Sequence, residues 1–515
     1  MKITLIEPKS PDSHIFSLYA LPRLGTILLG TILRDEGHDV CVMVESIEEI
    51  GWDAVLGSDL VGISTTTSTA PRAYEMAAAV KYLGIPTVLG GPHVTFMSDE
   101  GLKYADYVIR GEAERSLPLF VDVLAEGGDM GSVPGLSYVR GGKVVNNPID
   151  GSFIDLNDLP EPDITLIAGG MFKKRKWTNR VIPIQTSRGC PYNCTFCSVT
   201  RMFGRRMRYR DVDAVIEDLR KYDDKKNSVF FYDDNFAADP RRTKDLLRKM
   251  IAQRFSFVSS AQVRVDAGKD RELVGLMREA GLKTVFVGLE STNTESLSCM
   301  NKKQTMDDME EGLSGFAEFG IDVHGMFIFG FDTDTKKSLR DTVTFAKRHL
   351  LDSVQFLVLT PMPGTPVYRD LEKDGRIIIK DWSFYDGHHV VFTPKLVSPY
   401  QLQKAQIRGH LRFYSFREVI RRLNNFDFFG VMLTAYAKRL SRSWVRENRI
   451  YLRAMKLIQS TEDYIVSIDL KRTTGDVRKA VSDAIARAAG SIREIGKSDT
   501  LGHTAPKEGA RGISD

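Results

Sequence analysis

Short apolar runs rich in β-branched residues alternate with helical patterns along the first quarter of the chain. KITLIE, DVCVMV and LVGIST are strand candidates, and residues 24–36 and 72–83 have helical patterns. This alternation is typical of a parallel sheet with helices on both faces, because each crossover between parallel strands needs a helix-length connection. We therefore predict an α/β fold that begins with a doubly wound, Rossmann-like domain over residues 1–135.

Ligands of such sheets bind beyond the carboxyl ends of the strands. In the prediction, the segments STTTST, GGPH and RGEAE lie at that edge. Adjacent glycines in the second segment allow the backbone to approach a bound group closely. The predicted ligand-binding residues are Ser64, Thr65, Gly90, Gly91, Arg110, Gly111 and Glu112.

A second series of strands and helices follows a turn-rich stretch, which we interpret as a linker over residues 136–180. The strand candidates of this series are VIPIQTS, SVFFYDD, SFVSSAQ, TVFVGLE, DVHGMFIFG and SVQFLVLT. They predict a partial (β/α) barrel of the TIM type over residues 181–370. Because barrel chemistry takes place in the loops at the carboxyl ends of the strands, those loops are the place to look for a site.

The remainder of the chain has a mainly helical pattern over residues 371–465 and a charged tail over residues 466–515 that we expect to be partly disordered. An apolar run at residues 426–437 is too short to span a membrane. With the basic helix before it, this run predicts a peripheral contact with a membrane surface, and an ordinary buried helix is the alternative. Aromatic residues near His388 and His389 either line a substrate pocket or pack in the core.

Composition excludes several classes of protein. The chain is 42% hydrophobic and 27% charged with a net charge of +4, which is typical of a soluble globular protein and does not indicate nucleic-acid binding. The first apolar run is too short for a signal peptide and Pro8 ends it, so we expect a cytoplasmic protein. In that reducing compartment, five cysteines indicate metal or redox chemistry rather than disulfides.

Cys190, Cys194 and Cys197 form a C-x3-C-x2-C motif directly after the first barrel strand. Structural zinc needs four protein ligands, and no fourth cysteine or histidine lies nearby in the sequence. An iron–sulfur cube held by three thiolates instead keeps one iron open. We predict that these three residues bind such a cluster, and that Cys299, outside the motif, is a small buried apolar residue.

This motif and its place in the barrel resemble the radical S-adenosylmethionine enzymes. The resemblance implies a [4Fe-4S] cluster whose open iron is chelated by S-adenosylmethionine, which is cleaved to a 5′-deoxyadenosyl radical. It also implies cofactor contacts by residues that match the family's pattern along the barrel: Phe196, Asp233, Asp234, Arg264, Glu290 and Gly330. The alternatives are that the acidic residues cap helices, that Arg264 forms a structural salt bridge and that Gly330 relieves crowding in a strand.

The first domain resembles the cobalamin-binding domain of the cobalamin-dependent subclass of these enzymes, over about 120 residues that include VGISTTTST, VLGGPHVTF and YVIRGEAE. That resemblance implies that cobalamin binds at the carboxyl edge of the sheet. His14 has the spacing of a D-x-H-x-x-G cobalt ligand, but Ser17 stands in place of the glycine. We therefore expect His14 to be a surface or capping residue.

Together, the resemblances imply a radical enzyme that methylates an unactivated carbon of a small-molecule or lipid substrate and takes electrons from a donor such as flavodoxin or ferredoxin. A related enzyme that forms rings, couples carbon atoms or rearranges a skeleton without methyl transfer is one alternative. A non-catalytic corrin-binding or sensory protein is another, which the intact cysteine motif disfavours. The methylthiotransferases are excluded because they need three further cluster cysteines and only two remain.

Overall fold

A computed structural model describes residues 1–10, 21–151, 153–169 and 180–469. His14 and the tail beyond residue 469 lie outside the described residues, so the predictions made for them stay predictions.

The first domain is built on a seven-stranded sheet with the order β2-β1-β3-β4-β5-β6-β7. Its strands are β1 (Lys2–Glu7), β2 (Asp39–Val44), β3 (Leu60–Ser64), β4 (Thr87–Gly90), β5 (Tyr107–Ile109), β6 (Leu136–Arg140) and β7 (Lys143–Asn146). Its helices are α1 (Leu24–Asp35), α2 (Trp52–Leu56), α3 (Ala70–Tyr82), α4 (Pro92–Phe96), α5 (Ser98–Gly101) and α6 (Ser116–Glu126). The first five strands are parallel, and apolar clusters cover both faces of the sheet, which confirms the doubly wound fold.

Strands β6 and β7 form an antiparallel hairpin that extends this sheet into the stretch we interpreted as linker. Gly141 and Gly142 form the turn, and both have positive φ. A two-residue hairpin turn requires this conformation in order to match the twist of its strands. The short strands beside them carry exposed Val139 and Val144, so this hairpin lacks the apolar period that marks a buried strand in the sequence. The first sheet therefore ends beyond residue 135.

The second domain is a six-stranded parallel sheet with the order β15-β14-β13-β12-β11-β8, which confirms the partial barrel. Its strands are β8 (Arg180–Ile184), β11 (Asn227–Phe231), β12 (Val258–Val263), β13 (Leu282–Glu290), β14 (Asp322–Phe329) and β15 (Ser353–Val358), and β9 (Ser187–Arg188) pairs separately with β10 (Arg208–Tyr209). The helices are α7 (Val199–Met202), α8 (Val212–Lys221), α9 (Pro240–Gln253), α10 (Arg271–Glu279), α11 (Thr294–Cys299), α12 (Met306–Glu318) and α13 (Lys336–Arg348).

The chain continues through helices α14 (Pro366–Lys373), α15 (Pro399–Phe413), α16 (Phe416–Asn424), α17 (Phe428–Glu447) and α18 (Arg449–Asp469). This confirms the mainly helical C-terminal region. Over the ranges that the structure describes, none of the helices combines the length and the apolar character needed to cross a membrane.

Helix α15 and the residue after it cover the open edge of the barrel at β15. The Tyr414 hydroxyl accepts a hydrogen bond from the Val354 amide at 2.9 Å and donates one to the Val354 carbonyl at 2.8 Å. Nε2 of His410 accepts from the Phe356 amide at 3.2 Å, and Gln406 donates to the Phe356 carbonyl at 3.1 Å. Side chains thus satisfy backbone groups that a seventh strand would otherwise pair with.

Candidate functional site

The three motif cysteines lie on a loop that the short β9–β10 pair closes at its base. Ser187 pairs with Tyr209 and Arg188 with Arg208, so the two ends of the loop are held side by side. Gly189 begins the loop with a φ of 97°, and a Cβ there would lie 2.7 Å from the Arg206 carbonyl oxygen. Only glycine fits this close approach of two chain segments.

Burial shapes the chemistry of the three thiols. Desolvation raises the pKa of Cys190 and Cys194, an effect that the cations of Arg264 and Lys302 partly oppose, and it raises the pKa of Cys197 to about 12. Within the described ranges, no three Cys, His, Asp or Glu side chains are arranged to hold a single metal ion. A four-iron cluster does not need that arrangement, because each thiolate binds a different iron, and the donor set of three adjacent thiols fits it. A bound metal would supply the positive charge that favours thiolates.

Cys299 is exposed at the end of α11, so the prediction that it is buried is wrong. The buried face of this short helix carries Ser296 and Leu297 instead.

Arg264 supports the cysteine loop. Its guanidinium donates to the carbonyls of Lys302 and Lys303, each at 3.1 Å, and lies 3.8 Å from the centroid of the Tyr192 ring. It also pairs with Asp266 at 3.3 Å, the structural salt bridge that was the alternative. Because Tyr192 lies between Cys190 and Cys194, the contact between Arg264 and the Tyr192 ring helps to hold the cysteine loop in position.

Glu290 occupies the end of β13 with a φ of 62°, a conformation rare for residues other than glycine. Its carboxylate is buried and pairs with the Lys302 ammonium at 2.6 Å. Lys302 is not among the residues that the sequence predicts for the site. The only sequence signal was its position in NKK after α11, and nothing local indicates that it pairs with a residue twelve positions earlier.

Residues 300–303 form a support for the cysteine loop. The Thr195 amide donates to the Met300 carbonyl at 3.1 Å, and the Asn301 side chain donates to the Asn193 carbonyl at 3.0 Å. The same four residues supply the groups that Arg264 and Glu290 bind. The loop is therefore attached to the ends of β12 and β13 through one short segment.

The two adjacent aspartates after β11 have different surroundings. Asp233 is fully buried and accepts hydrogen bonds from the Thr186 amide, the Thr186 hydroxyl and the Ser187 amide at 2.6–3.0 Å. Asp234 lines the cavity described below, and burial raises its pKa to about 6 although the Gly189 amide donates to it at 3.3 Å. Asp233 therefore holds the start of the cysteine loop, and Asp234 faces the open space.

Phe196 and Gly330 lie together on the other side of the loop. The Phe196 ring packs edge to face against Phe331, with centroids 6.1 Å apart. Gly330 has a φ of 117°, its amide donates to Asp334 at 2.8 Å, and a Cβ there would lie 2.8 Å from a Leu402 methyl group. Neither residue lines the cavity described below.

A cavity of about 380 Å³ lies between the carboxyl edge of the first sheet and the mouth of the barrel. Residues directly after β8 and β11 form its barrel side, including Gln185, Tyr232 and Asp234. Apolar side chains form much of the rest, among them Leu24, Leu28, Leu29, Leu117, Leu156 and Leu159. A cavity at this edge is where an open parallel sheet binds its ligands.

The predicted ligand-binding residues of the first domain divide into two groups. Ser64, Gly90, Gly91, Gly111 and Glu112 line the cavity. Nothing lies within 4 Å of the position where a Cβ on Gly90 would be, so the cavity reaches the bare backbone there. This open glycine edge fits a large planar group.

Thr65 and Arg110 do not line the cavity. The Thr65 hydroxyl donates to the Gly90 carbonyl at 2.8 Å and positions the β4 loop. Arg110 donates to the Asn147 carbonyl at the end of the hairpin. Arg110 and Gly111 are consecutive, and the Arg110 side chain points away from the cavity that Gly111 lines. The sequence predicts where the strand ends, but not which of the two residues faces the cavity.

Arg188 joins the cavity's two walls. Its guanidinium is buried and pairs with Glu112 at 2.9 Å and Glu114 at 2.6 Å, while Arg208 also pairs with Glu112 at 2.6 Å. Burial alone would raise the pKa of Glu112, but these guanidiniums hold it below its usual value. Glu112 therefore connects the first domain to the base of the cysteine loop rather than being free for a ligand.

The C-terminal histidines do not line this cavity. His389 is buried among Phe384, Trp444 and Tyr451, and its ring nitrogens lie 3.0 Å from Asp386 and 2.9 Å from Asn448. His389 therefore packs in the core, which is one of the two alternatives given for this aromatic segment.

Two family models match the chain in the order of its domains. The B12 binding domain matches residues 17–121, and the radical SAM superfamily matches residues 184–346. An uncharacterised methyltransferase of Pyrococcus horikoshii is 30% identical over 429 residues, which are 80% of this chain and 92% of that protein. The chain belongs to the cobalamin-binding radical S-adenosylmethionine family.

Other members of this family that resemble the chain have named substrates. The bacteriochlorophyllide d C-12(1)-methyltransferase of Chlorobaculum tepidum is 27% identical and covers 85% of this chain and 94% of its own length. The hopanoid C-2 methylase of Rhodopseudomonas palustris is 25% identical and covers 70% of this chain and 66% of its own length. Two relatives, at 28% and 26% identity, are instead named anaerobic magnesium-protoporphyrin IX monomethyl ester cyclases. The chain is therefore an enzyme of a family whose named relatives include methyltransferases.

The fold agrees with a solved family structure. The radical S-adenosylmethionine methyltransferase TsrM of Kitasatospora setae, solved with cobalamin and a [4Fe-4S] cluster, superposes with a TM-score of 0.65 at 16% identity, over 87% of this chain and 100% of that one. Membership in the family gives this enzyme three cofactors: the [4Fe-4S] cluster, S-adenosylmethionine and cobalamin.

Proposed function

We propose that this enzyme transfers a methyl group to an unactivated carbon of an apolar small-molecule or lipid substrate. The observation that carries the proposal is the cavity, which runs from Gly90 and Gly91 on the first sheet to Tyr232 and Asp234 at the barrel mouth. A group on the sheet edge and a substrate at the barrel mouth can meet in that space.

We assign residues to cofactors as follows. Cys190, Cys194 and Cys197 bind the cluster, and the exposed backbone at Gly90, Gly91 and Gly111 together with Ser64 faces the corrin. When bound, the cofactors supply a 5′-deoxyadenosyl radical and a methyl group, which suits a carbon that no side-chain base can deprotonate.

The chain's own residues position these groups. Arg264, Glu290 and Lys302 hold the cysteine loop through residues 300–303, and Asp233 holds its first turn. Asp234 is the acceptor that faces the cavity, and we assign it to the amino group of S-adenosylmethionine. The apolar walls of the cavity disfavour bound water, which helps to protect a reactive radical.

The substrate class follows from the walls of the cavity. Leucines from α1, α6 and residues 156–159 line it, together with charged side chains from both domains, such as Arg23 and Asp234. Such a cavity favours a substrate with a large apolar body. The bacteriochlorophyllide and hopanoid named for two relatives are both of this kind.

The electron for the cluster must come from outside the chain. Outside the motif only Cys41 and Cys299 remain, too few for a second cluster of the usual kind. We therefore propose a small one-electron donor of the flavodoxin or ferredoxin type.

Methyl-labelled S-adenosylmethionine tests the reaction. The reconstituted enzyme is incubated without oxygen with lipid and polar fractions of a cell extract, and Cys197→Ala serves as the inactive control. We expect label in the lipid fraction with the wild-type enzyme alone. Formation of 5′-deoxyadenosine with an unlabelled product would replace methyl transfer by ring formation or rearrangement. Absence of both products would favour a non-catalytic protein, and label confined to polar metabolites would contradict the substrate class.

A further inference from the structure

The turn between α16 and α17 presents a cluster of large apolar side chains to solvent, which we call the apolar tip. Each of its residues is between 44% and 80% exposed, with Phe426 the most exposed. The tip consists of Phe416, Ile420, Leu423, Phe426, Phe428, Phe429 and Met432. A contiguous apolar surface of this kind marks an interaction site on a soluble protein.

Buried polar contacts hold the tip in place. Arg422, almost fully buried, pairs with Glu418 at 2.9 Å and with Asp427 at 2.7 Å and donates to the Asp352 carbonyl at 2.6 Å. Asp427 in turn caps α17 by accepting from the Gly430 amide at 2.8 Å. Ionic groups thus face inward and phenyl rings face outward, the reverse of an ordinary surface.

Phe426 adopts a φ of 57° at the turn. A bulky residue in this conformation is unusual, and the surrounding structure must impose it. The Arg422–Asp427 contact does so, because it fixes the residues on either side of Phe426.

The tip lies at the opposite end of the barrel from the cavity. Asp352, which Arg422 contacts, immediately precedes β15, whereas the cavity opens at the carboxyl ends of the strands. A six-residue strand separates the two levels by about 20 Å. The tip is therefore not the entrance for the substrate.

The charge around the tip is positive. The acidic residues Glu418 and Asp427 are both engaged with arginines. Exposed arginines on these helices include Arg412 at the end of α15, Arg417 in the first turn of α16 and Arg439 on α17. On α17 the apolar positions 428 and 432 continue along one face to Arg439, so the apolar and cationic parts are contiguous.

We propose that the apolar tip inserts into the interface of a membrane that contains anionic lipids, with the neighbouring arginines on the headgroup phosphates. Neither a two-fold contact between copies nor a neutral partner fits as well, since a two-fold contact would bring like-charged arginines together. The proposal does not depend on the reaction proposed above.

Sedimentation of the full-length chain with vesicles tests the anchoring. We expect binding to vesicles of phosphatidylcholine with phosphatidylglycerol, weaker binding to pure phosphatidylcholine, and loss of the difference at high salt. The double variant Phe426→Ser, Phe429→Ser should weaken binding about tenfold or more. Tyr82→Ser, Leu83→Ser is the matched control, because both residues are exposed on the first domain.

A second pair of variants separates charge from apolar insertion. The double variant Arg417→Gln, Arg439→Gln should weaken binding to the anionic vesicles and leave binding to neutral vesicles unchanged. The melting temperatures of all variants should match wild type, because the changed side chains are exposed. Failure of the wild-type chain to bind vesicles, or unchanged binding by the Phe variant, would overturn the proposal. A dimer in sedimentation velocity that the Phe variant abolishes would assign the tip to a second copy instead.

Discussion

At the scale of single residues, adjacent and similar side chains have different tasks. Asp233 and Asp234 are neighbours in sequence, yet one is enclosed by Thr186 and Ser187 and the other faces the cavity. Arg264 acts on the cysteines indirectly, through Tyr192 and the carbonyls of residues 302 and 303. Residue type alone does not distinguish a cofactor contact from a supporting contact.

Replacing Cys194 tests the cluster. Cys194→Ala removes one of three thiolates, and we expect iron and sulfide content after anaerobic reconstitution to fall to background, with loss of reductive cleavage of S-adenosylmethionine. Cys299→Ala, which changes an exposed thiol outside the motif, is the control and should reconstitute fully. Full iron content in the Cys194 variant would reject the assignment of the motif.

Asp352 gives the protein a pH-dependent stability. Burial, together with the charges of Asp322 and Asp427, raises its pKa to about 6 from 3.8, so the folded state binds the proton more tightly than the unfolded state. This group therefore lowers the free energy of unfolding as the pH rises from about 4 to about 6, and the loss remains above that range.

Asp352→Asn should be more stable than wild type at pH 8, on the order of 2 kcal/mol, and by about half of that at pH 5, which is the middle of the range over which the loss develops. The amide oxygen can still accept from the Val323 amide, which now donates to the carboxylate at 2.8 Å. Thermal unfolding at the two pH values measures the effect. An equal shift at both values would show that Asp352 does not titrate in this range.

At the scale of elements, side-chain contacts connect segments of the chain that are not joined by strand pairing. Residues 300–303 attach the cysteine loop to β12 and β13. Helix α15 covers the edge of β15, and its His410 must stay neutral to accept a hydrogen bond, which agrees with burial lowering its pKa to about 3. The half-open barrel is stable because a helix satisfies the edge.

Tyr414→Phe tests that covering contact. The change leaves the buried amide and carbonyl of Val354 without the hydroxyl, and we expect a loss of about 2 kcal/mol or more. In thermal unfolding of a unit this large, this corresponds to a decrease in melting temperature of about 2 to 3 °C. Tyr436→Phe, on a partly exposed ring of α17, is the control and should change little. Equal melting temperatures for both variants would show that α15 is not needed to close the edge.

At the scale of the whole molecule, two contacts set how the domains face each other. Arg188 and Arg208 of the barrel bind Glu112 of the first domain beside the cavity. On the outer side, Trp382 from the C-terminal region donates to Glu100 at 2.7 Å and packs edge to face on His93, with ring centroids 5.0 Å apart. The cavity lies between domains that are held by buried ionic and aromatic contacts.

Trp382→Phe should loosen the outer contact. The variant keeps a ring but loses the donor to a carboxylate, at a cost of about 2 kcal/mol. We expect faster hydrogen exchange in residues 67–69 and 382–384, which lie at this contact, and unchanged exchange in β11 and β12. Trp52→Phe, on an exposed face of the first domain, is the control. Faster exchange throughout the chain would indicate a general loss of stability instead.

The sequence by itself determined both α/β series, the position of the cysteine motif after the first barrel strand and the helical C-terminal region. These features are local: strands and helices have their own apolar periods, and ligands for one cluster lie within one loop. It also placed Ser64, Gly90, Gly91 and Gly111 at the right edge of the sheet, because strand ends follow from the same periods.

Only the tertiary structure decided which polar side chains face the cavity and which hold the walls. Lys302 meets Glu290, Arg188 meets Glu112, and Tyr414 meets Val354 across long stretches of chain. Such pairs form when packing brings distant segments together and desolvation makes an unpaired polar group costly, and neither condition is visible in a local pattern. The exposure of Phe426 was decided in the same way, because buried Arg422, paired with the half-exposed Asp427, occupies the inward side of its turn.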